Sequence, residues 1–285
     1  MTTLTEGAFA KINLTLDVLD KGADGYHDIR SIMQAITVRD DIEILLDTGK
    51  PWSLVCDKEE IPTDETNLAW KAARLFFDEL GGEPDGVEIH ITKRIPTRAG
   101  LAGGSADAAA VLRALNRWRD YPLSLPALAE LGGRLGSDVP FCVLCGTALA
   151  EGRGEKITAL PPAPEMFYVI CKPDLSFSTP EMYAKLDSIH IGQRPDTLAM
   201  RSALQRGDLD AIGKQLCNVF EQAVVPDHPE INYIKSIMMT YGSYGTLMTG
   251  SGSAVFGIFD SFEYAMVACT MLKDNYPRVF MAKNV

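Results

Sequence analysis

The chain has 285 residues, of which 46% are hydrophobic and 23% charged, so it can bury a substantial core as two domains or one large α/β unit. Its formal net charge of −11 disfavours nonspecific attraction to nucleic acid or an anionic membrane, because both need clustered lysine and arginine. No apolar stretch approaches the roughly 20 residues that span a bilayer, and residues 1–6 lack the segments of a secretory signal. We therefore expect a cytoplasmic protein with no nucleic-acid or membrane partner.

The chain is predicted to begin with a half-buried strand. Residues 8–19 alternate apolar and polar side chains, which places Lys11 and Asn13 on the same face. Turn-forming residues at 21–28 predict an ordered loop, and an apolar-rich segment follows at 31–46.

A helix, a strand, a glycine-rich loop and a second helix are predicted next. Thr66 is expected to cap an amphipathic helix over 67–80, and residues 87–93 alternate as a strand. Residues 99–110, Ala-Gly-Leu-Ala-Gly-Gly-Ser-Ala-Asp-Ala-Ala-Ala, then pass from a glycine-rich loop into a helix. Such a segment offers unpaired backbone N–H groups and a positive dipole end to an anion. It predicts a site for a nucleotide phosphate, with a plain turn as the alternative.

The middle of the chain is predicted to contain a helix, a buried strand and a domain joint. A helix is expected over 126–135 and an apolar strand over 139–150. Cys142 and Cys145 have metal-site spacing, but no second cysteine pair or paired histidines accompany them, so free thiols are expected. The proline-rich stretch 160–165 is the candidate joint.

The remaining third is predicted to mix strands and helices. The expected elements are a strand over 167–171, a helix over 180–186, helices over 197–222 interrupted near Gly207, a strand-loop-strand over 244–259 and a helix over 262–273.

The glycine-rich loop matches neither the P-loop pattern nor the dinucleotide-binding fingerprint. The other motifs of the chain are therefore needed to interpret its function. Four other motifs accompany it: Ala-Lys-Ile-Asn-Leu at 10–14, Ala-Asp-Gly-Tyr-His at 23–27, Gly-Ser-Asp-Val-Pro-Phe at 136–141 and Gly-Ser-Gly-Ser-Ala at 250–254. Together these motifs resemble the GHMP kinase superfamily of small-molecule kinases. The resemblance implies a two-domain α+β fold of mixed sheets and helices, with an ATP-binding domain over 1–157, a C-terminal domain over 158–285 and the active site in the interdomain cleft.

The resemblance also implies an activity. The first two motifs resemble those of superfamily members that phosphorylate the 2-hydroxyl of a cytidine-diphosphate-linked methylerythritol, in the non-mevalonate route to isoprenoid precursors. ATP and Mg²⁺ are the expected cofactors, the cytidine diphosphate compound is the expected partner, and a homodimer is left open. Two alternatives remain: another GHMP kinase, of homoserine or mevalonate type, and a catalytically silent nucleotide-binding sensor of the same fold.

Two charged residues are the expected catalytic pair. By resemblance, Asp138 accepts the proton of the acceptor hydroxyl and Lys11 polarises that hydroxyl as its electrostatic partner. Without the resemblance, Asp138 would be a local cap in a turn and Lys11 a solvated strand lysine.

The resemblance places ATP along the glycine-rich loop, with the adenosine near Asn67 and Lys93. The expected ATP-binding residues are Asn67, Lys93, Pro96, Gly100, Leu101, Ala102, Gly103, Gly104, Ser105 and Ala106. Ser105 is expected to help hold Mg²⁺, to cap the helix, or both. Asp107 is expected to interact favourably with the positive end of the helix dipole rather than to bind metal.

For the cytidine end, Tyr26 and Tyr183 resemble an aromatic pair that sandwiches the pyrimidine, with His27 bonding to its polar edge. The expected substrate-binding residues are Asn13, Tyr26, His27, Thr179, Tyr183, Gly250, Ser251 and Gly252. For the last three, a plain strand-to-strand turn is the alternative.

The glycine-rich loop departs from the superfamily pattern at two positions. Ala99 and Ala102 stand where such kinases commonly have glycine. A Cβ atom is costly where φ is positive, so we expect neither alanine to need a positive φ.

Overall fold

The computed structural model describes residues 1–22 and 25–285, which form an α+β fold. Its strands are β1 (Thr2–Lys21), β2 (His27–Leu46), β3 (Ser53–Cys56), β4 (Val87–Thr92), β5 (Thr147–Glu151), β6 (Lys156–Ala159), β7 (Phe167–Cys171), β8 (Cys217–Asn218), β9 (Gly245–Met248), β10 (Val255–Phe259) and β11 (Val279–Lys283). Its helices are α1 (Leu68–Leu80), α2 (Gly103–Trp118), α3 (Leu125–Gly133), α4 (Val139–Leu144), α5 (Thr179–Asp187), α6 (Thr197–Arg206), α7 (Leu209–Gln215), α8 (Phe220–Val224), α9 (Pro229–Thr240) and α10 (Phe262–Lys273).

The chain divides into two compact units. The first unit comprises Met1–Ala10, Arg39–Ile95 and Ala102–Cys145, and the second comprises Lys11–Val38, Pro96–Leu101 and Gly146–Val285. The long strands β1 and β2 are neighbours in one sheet, and each contributes residues to both units. The glycine-rich loop is likewise divided, with its first half in the second unit and its helical half in the first.

The first unit contains helices and part of a seven-stranded mixed sheet, whose main order is β3-β4-β2-β1-β8. Strand β4 pairs antiparallel with β2, so that Ile42 lies opposite Ile91, and it pairs in parallel with β3, so that Leu54 lies opposite Ile89. Helices α1 and α2 pack against each other, and α2 also packs against α4. Burial of β-branched strand residues and of the alanine-rich face of α2 supplies the core of this unit.

The second unit contains two sets of paired strands. Strand β5 pairs antiparallel with β2 and β6, and β8 pairs in parallel with β1. A four-stranded antiparallel sheet has the order β11-β7-β10-β9, with α10 packed on β7 and α9 on β10. Its core includes Tyr168, Phe256 and Phe259, which are fully buried.

Most of the predicted elements are confirmed. The predicted strand at 8–19 lies within β1, but the expectation that it is half-buried is wrong, because residues 10–18 are buried on both faces. The helix predicted over 262–273 matches α10. The helices over 197–222 break at Gly207, which has φ +65° and caps α6, although the short strand β8 within this range is not predicted. The loop at 21–28 includes Ala23 and Asp24, which lie outside the described residues.

Two predictions near helix ends are wrong. The strand predicted over 139–150 is a helix over its first half, because a short apolar run fits either element and Pro140 suits a first helical turn, where no N–H is needed. Only Thr147–Glu151 is extended. Helix α1 is capped by Asn67 rather than Thr66, since the Asn67 side chain accepts the backbone N–H of Ala69.

No helix in the described part of the chain is both long enough and apolar enough to cross a membrane.

Candidate active site

The glycine-rich loop leads into α2, which begins at Gly103. The first helical hydrogen bond runs from Ala106 N–H to the carbonyl of Ala102 at 2.9 Å. Helix geometry therefore leaves the N–H groups of Gly103, Gly104 and Ser105 without intrahelical acceptors, while that of Ala106 is already used. Ser105 lies inside the helix, so the prediction that it caps α2 is wrong.

Ala102 contradicts the expectation that both loop alanines avoid a positive φ. Its φ is 58° and its ψ 32°, in the left-handed region, and it directly precedes α2. Ala99 is not among the described residues with positive φ. The chain therefore accepts a Cβ atom at position 102 in a conformation that favours glycine.

Gly100 packs its bare backbone against a turn formed by residues 249–252, which we call the Gly250 turn. Gly100 has φ +75°, and a Cβ atom placed on it would lie 2.1 Å from the carbonyl oxygen of Thr249. A Cβ atom placed on Gly250 would lie 2.9 Å from Gly100 Cα. Position 100 therefore needs glycine both for its conformation and for its neighbour.

Lys11 lies on β1 beside the same loop. Its backbone N–H donates to the carbonyl of Leu101 at 3.2 Å, and its Nζ donates to Asn13 Oδ1 at 2.7 Å. The side chain is not a solvated strand lysine, because the residue is only 4% exposed. Lys11 is thus a buried cation held by a neutral amide.

Asn13 connects Lys11 to the Gly250 turn. Besides Lys11 Nζ, its Oδ1 accepts Thr249 Oγ1 at 3.2 Å and the N–H of Gly250 at 3.1 Å. Its Nδ2 donates to Ser31 Oγ at 2.8 Å. Both polar atoms of the amide are therefore engaged within the protein, and the structure brings the first motif, the glycine-rich loop and the Gly250 turn together.

Asn218, on the two-residue strand β8, holds the other side of the Gly250 turn. Its Nδ2 donates to the carbonyls of Met248 and Gly250 at 2.7 and 2.8 Å, and its Oδ1 accepts the N–H of Phe220 at 3.0 Å. The residue is 3% exposed. Asn218 therefore fixes the backbone on both sides of Thr249.

The residues predicted for the cytidine end cluster around α5. Thr179 Oγ1 lies 3.2 Å from Ser251 Oγ. One turn further along the helix, Tyr183 stacks on the His27 ring, with centroids 5.1 Å apart and planes 17° apart. His27 Nε2 lies 2.7 Å from Asp187 Oδ1. These contacts bring four of the predicted substrate residues into two adjoining pairs.

Tyr26 and Tyr183, the predicted aromatic pair, make different ring contacts in this structure. His27, rather than a second tyrosine, covers one face of Tyr183. Tyr26 is 61% exposed, and the guanidinium of Arg153 lies 5.2 Å from its ring centroid. A pyrimidine that stacks on the covered face of Tyr183 therefore requires the imidazole to move.

In the first unit, the starts of α1 and α2 are neighbours. Asn67 Oδ1 accepts the N–H of Ala69 at 2.8 Å, and its Nδ2 donates to the carbonyl of Pro62 at 2.7 Å. A Cβ atom placed on Gly104 would lie 3.6 Å from Leu68 Cδ1. The amide of Asn67 is therefore engaged in local structure beside the first turn of α2.

Lys93 lies at the centre of a buried group of three charges, which we call the Lys93 triad. Its Nζ lies 2.5 Å from Asp40 Oδ2 and 2.7 Å from Asp107 Oδ2. A Cβ atom placed on Gly103 would lie 3.4 Å from the same Nζ. The prediction that Asp107 serves the helix dipole is wrong, because its carboxylate pairs with Lys93 beneath the first turns of α2.

Two carboxylates share one ammonium in this triad, which shifts the pKa of two members. Burial raises the pKa of Asp107; the Lys93 ammonium opposes that shift and the Asp40 carboxylate adds to it. Burial lowers the pKa of Lys93, but attraction to Asp107 and Asp40 outweighs burial and leaves it raised. Asp107 Oδ1 has no hydrogen-bond partner among the described residues. Lys93, the residue after β4, thus ties that strand to α2 through Asp107.

Asp138 directly precedes α4 and is half-buried. Its side chain makes no capping hydrogen bond to the described backbone of that helix, so the alternative of a local cap is wrong. Asp138 belongs to the first unit and Lys11 to the second. Pro96, half-buried, begins the loop segment of the second unit.

Sequence reasoning did not identify Thr249, Asn218 or Asp40. Thr249 could have been identified from its position, because it directly precedes the turn predicted at residue 250. Asp40 interrupts an apolar run of alternate residues from Ile36 to Leu46 on β2, where a carboxylate indicates a buried partner. Asn218 carries no comparable signal.

Cysteines do not assemble a metal site in the described residues. Cys142 is buried and Cys145 half-buried, and within the described ranges no group of three or more histidine, cysteine, aspartate or glutamate side chains could hold a metal ion. Burial raises the pKa of the Cys145 thiol, which disfavours its reactive thiolate form.

Comparison with known proteins places these features in a family. A model of the GHMP kinases N terminal domain matches residues 67–146, and a model of the GHMP kinases C terminal domain matches residues 200–278. These ranges include the start of α1, the helical half of the glycine-rich loop, Asp138 and the Gly250 turn.

Individual proteins give the same result. The 4-diphosphocytidyl-2-C-methyl-D-erythritol kinase of Caldicellulosiruptor saccharolyticus is 49% identical over 93% of this chain and 91% of its own. A crystal structure of 4-(cytidine 5'-diphospho)-2C-methyl-D-erythritol kinase is 32% identical with a TM-score of 0.82, over 98% of both chains. Homoserine kinase from Cytophaga hutchinsonii, at 19% identity, shares the fold with a TM-score of 0.77, over 100% of this chain and 95% of its own. One family model includes the glycine-rich loop and the other includes the Gly250 turn that Gly100 contacts. The chain therefore belongs to the GHMP kinases.

Proposed function

We propose that this kinase transfers the γ-phosphoryl group of ATP to the 2-hydroxyl of 4-diphosphocytidyl-2-C-methyl-D-erythritol, in the non-mevalonate route to isoprenoid precursors. The observation that carries the proposal is the hydrogen-bonded cluster of Lys11, Asn13 and the Gly250 turn against Gly100. It joins the motif that resembles this particular kinase to two motifs shared by the superfamily. The relatives and the crystal structure that bear the kinase's name support the same substrate.

In the proposed reaction, Lys11 and Asp138 act on the acceptor hydroxyl. The 2-oxygen attacks the γ-phosphorus, the bond from that phosphorus to the bridging oxygen of ADP breaks, and the hydroxyl proton passes to the Asp138 carboxylate. The Lys11 ammonium, oriented by Asn13, stabilises negative charge on the attacking oxygen. The buried position of Lys11 strengthens this effect, because little water screens its charge.

The glycine-rich loop is proposed to hold the triphosphate. The N–H groups of Gly103, Gly104 and Ser105 point out of the start of α2, where the helix dipole favours anions. The backbone path into the start of α2 is set by the preceding loop, which includes Pro96 and Gly100.

Magnesium is proposed to be held mainly by the phosphates, with the Ser105 hydroxyl as its protein ligand. The donor set fits this arrangement, since Mg²⁺ commonly binds substrate phosphates with few protein ligands and Ser105 offers a hydroxyl oxygen in the first turn of α2. When bound, Mg²⁺ neutralises charge on the phosphate oxygens.

The cytidine diphosphate end is proposed to bind along α5. Thr179 and Ser251 offer paired hydroxyls to the diphosphate, and Tyr183 offers a ring to the base. We further propose a division near residue 157 between an ATP-binding and a C-terminal domain, supported by family models that match on either side of it. A cytoplasmic location without nucleic-acid or membrane partners accords with the net charge of −11.

The test is ADP release by the purified protein with ATP, Mg²⁺ and one acceptor at a time. The acceptors are the cytidine diphosphate compound, free methylerythritol phosphate, mevalonate and homoserine. The proposal expects acceptor-dependent ADP release with the cytidine compound alone. Release with mevalonate or homoserine would replace the substrate but keep the kinase, and ATP binding without acceptor-dependent release would indicate a sensor.

A further inference from the structure

We propose that Asn218 is a positioning residue for Lys11, acting through the Gly250 turn and Asn13. The inference rests on the proposed function, because it assigns the cluster a consequence for phosphoryl transfer. Asn218 lies on β8, outside every motif described above, and its side chain bonds only to backbone groups among its described hydrogen bonds. Its role is to set where the Lys11 ammonium points.

First, Asn218 holds the Gly250 turn through hydrogen bonds to its backbone. One amide nitrogen donates to two carbonyls, of Met248 and Gly250, which flank Thr249 along the chain. The same side chain is anchored through Oδ1 to the N–H of Phe220. Because every polar atom of the buried amide is paired, its orientation is fixed and the two carbonyls are fixed with it.

The second step runs from the turn to Asn13. Thr249 Oγ1 and the N–H of Gly250 both reach Asn13 Oδ1, and the N–H of Asn13 donates to Thr249 Oγ1 at 3.0 Å. Gly100 leaves no free space on the far side, since its backbone contacts Thr249. A displacement of the turn is therefore passed to the Asn13 amide.

The third step is from Asn13 to the catalytic cation. Lys11 Nζ donates a hydrogen bond to Asn13 Oδ1 at 2.7 Å, so the position of that oxygen determines the direction of the ammonium. Misplacement of a reacting group by about 1 Å can reduce turnover about 100-fold. Asn218 thus controls kcat from a distance, whereas the nucleotide residues of the first unit are outside this chain of contacts.

The substitution Asn218→Asp tests the hydrogen bonds from Asn218 to the carbonyls of Met248 and Gly250. It keeps size and the acceptor for Phe220 N–H but replaces the donor by an oxygen that faces the carbonyls of Met248 and Gly250, which repels both. The matched control is Asn116→Asp, because Asn116 is also buried and its Nδ2 donates to the carbonyl of Leu123 at 2.9 Å in the first unit.

The measurements are kcat, KM for each substrate, and the Kd for ATP, on variants checked for folding by thermal melting. We expect Asn218→Asp to lower kcat at least about tenfold, from the misplacement argument, with the ATP Kd within twofold, and Asn116→Asp to keep kcat within twofold. A folded Asn218→Asp protein with wild-type kcat would overturn the inference. So would an equal loss of kcat in the control, which would indicate a general effect of a buried charge.

A second pair of variants decides the matter if Asn218→Asp does not fold. Thr249→Val removes the hydroxyl that links the turn to Asn13 while keeping its shape, and Thr249→Ser keeps the hydroxyl. The inference expects kcat to fall in the valine variant and to recover in the serine variant, and equal kcat in both would overturn it. Failure of the wild-type protein to phosphorylate the cytidine compound would instead refute the proposed function, before any variant is compared.

Discussion

Replacement of Gly100 by alanine tests the contact on which the candidate active site is built. The added methyl group would lie 2.1 Å from the carbonyl oxygen of Thr249, 2.9 Å from its carbonyl carbon and 3.3 Å from Gly250 Cα. All three atoms are backbone, so no side chain can rotate away. The residue would also have to hold φ +75°, which alanine disfavours.

Two contributions set the size of the effect. The left-handed conformation costs a non-glycine residue about 1–2 kcal/mol, and forcing a methyl group into packed surroundings costs about 1–3 kcal/mol. Gly100→Ala should therefore lower the free energy of unfolding by about 2–5 kcal/mol, the sum of these two ranges. Turnover should fall as well, because Thr249 must move and Asn13 with it.

Gly146→Ala is the matched control for the stability measurement. Gly146 has φ +71°, but a Cβ atom placed on it would meet nothing within 4 Å. This variant therefore isolates the conformational cost of about 1–2 kcal/mol. Urea denaturation of both variants, followed by circular dichroism, gives the difference. If the two variants lose the same stability, Gly100 does not contact the Gly250 turn as the structure has it, and the reasoning is refuted.

Four further predictions follow from the described geometry. Ala102→Gly should raise the free energy of unfolding by about 0.5–1 kcal/mol in urea denaturation, because glycine avoids most of the left-handed penalty at φ 58° and loses part of the gain to unfolded-state entropy; a decrease would contradict it. The pKa of Asp107 is raised from 3.8 to about 7 in the folded protein, so the native state keeps this proton longer than the unfolded chain does and stability should decline as pH rises from 3.8 through about 7. Asp107→Asn should flatten that decline in unfolding measured across this window, and an unchanged slope would count against it. Asp138→Asn should lower kcat about 100-fold or more while the ATP Kd stays within a few fold, whereas unchanged turnover would remove Asp138 from the role of base. Tyr183→Ala should raise KM for the cytidine compound by about tenfold or more, from the loss of base stacking, with KM for ATP within twofold; equal losses for both substrates would refute the assignment.

The sequence predicts element types well where periodicity is sustained, and less well at short runs. The final helix α10 follows from a pattern sustained over 12 residues. The strand-loop-strand around Gly250 follows from two apolar runs separated by glycine and serine. The segment Val139–Leu144 is too short and too uniformly apolar for periodicity to separate helix from strand. Ala102 shows a different limit, because surrounding packing can hold a residue in a conformation that its own preference disfavours.

For the candidate site, motifs indicate which segments to examine but not which contacts they make. Lys11, Gly100 and Gly250 come from separate motifs, and only the fold shows that Asn13 and Thr249 join them. Long-range pairs such as these depend on how strands are brought together, which local patterns do not encode.

Buried polar residues differ in how visible they are to sequence reasoning. Asp40 could have been found, since it occupies an inward position of an apolar alternating strand. Asn218 could not, because its strand has two residues and the two carbonyls that its Nδ2 contacts lie far along the chain.

Identification of the reaction product shows whether the enzyme phosphorylates the 2-hydroxyl of the cytidine diphosphate compound. Purified protein would be incubated with ATP, Mg²⁺ and the cytidine diphosphate compound labelled with carbon-13 at C2, and the product examined by phosphorus and carbon NMR. We expect one new phosphate monoester whose phosphorus couples to C2, with ADP formed in equal amount. A phosphate on another hydroxyl, or free phosphate without a new ester, would contradict it.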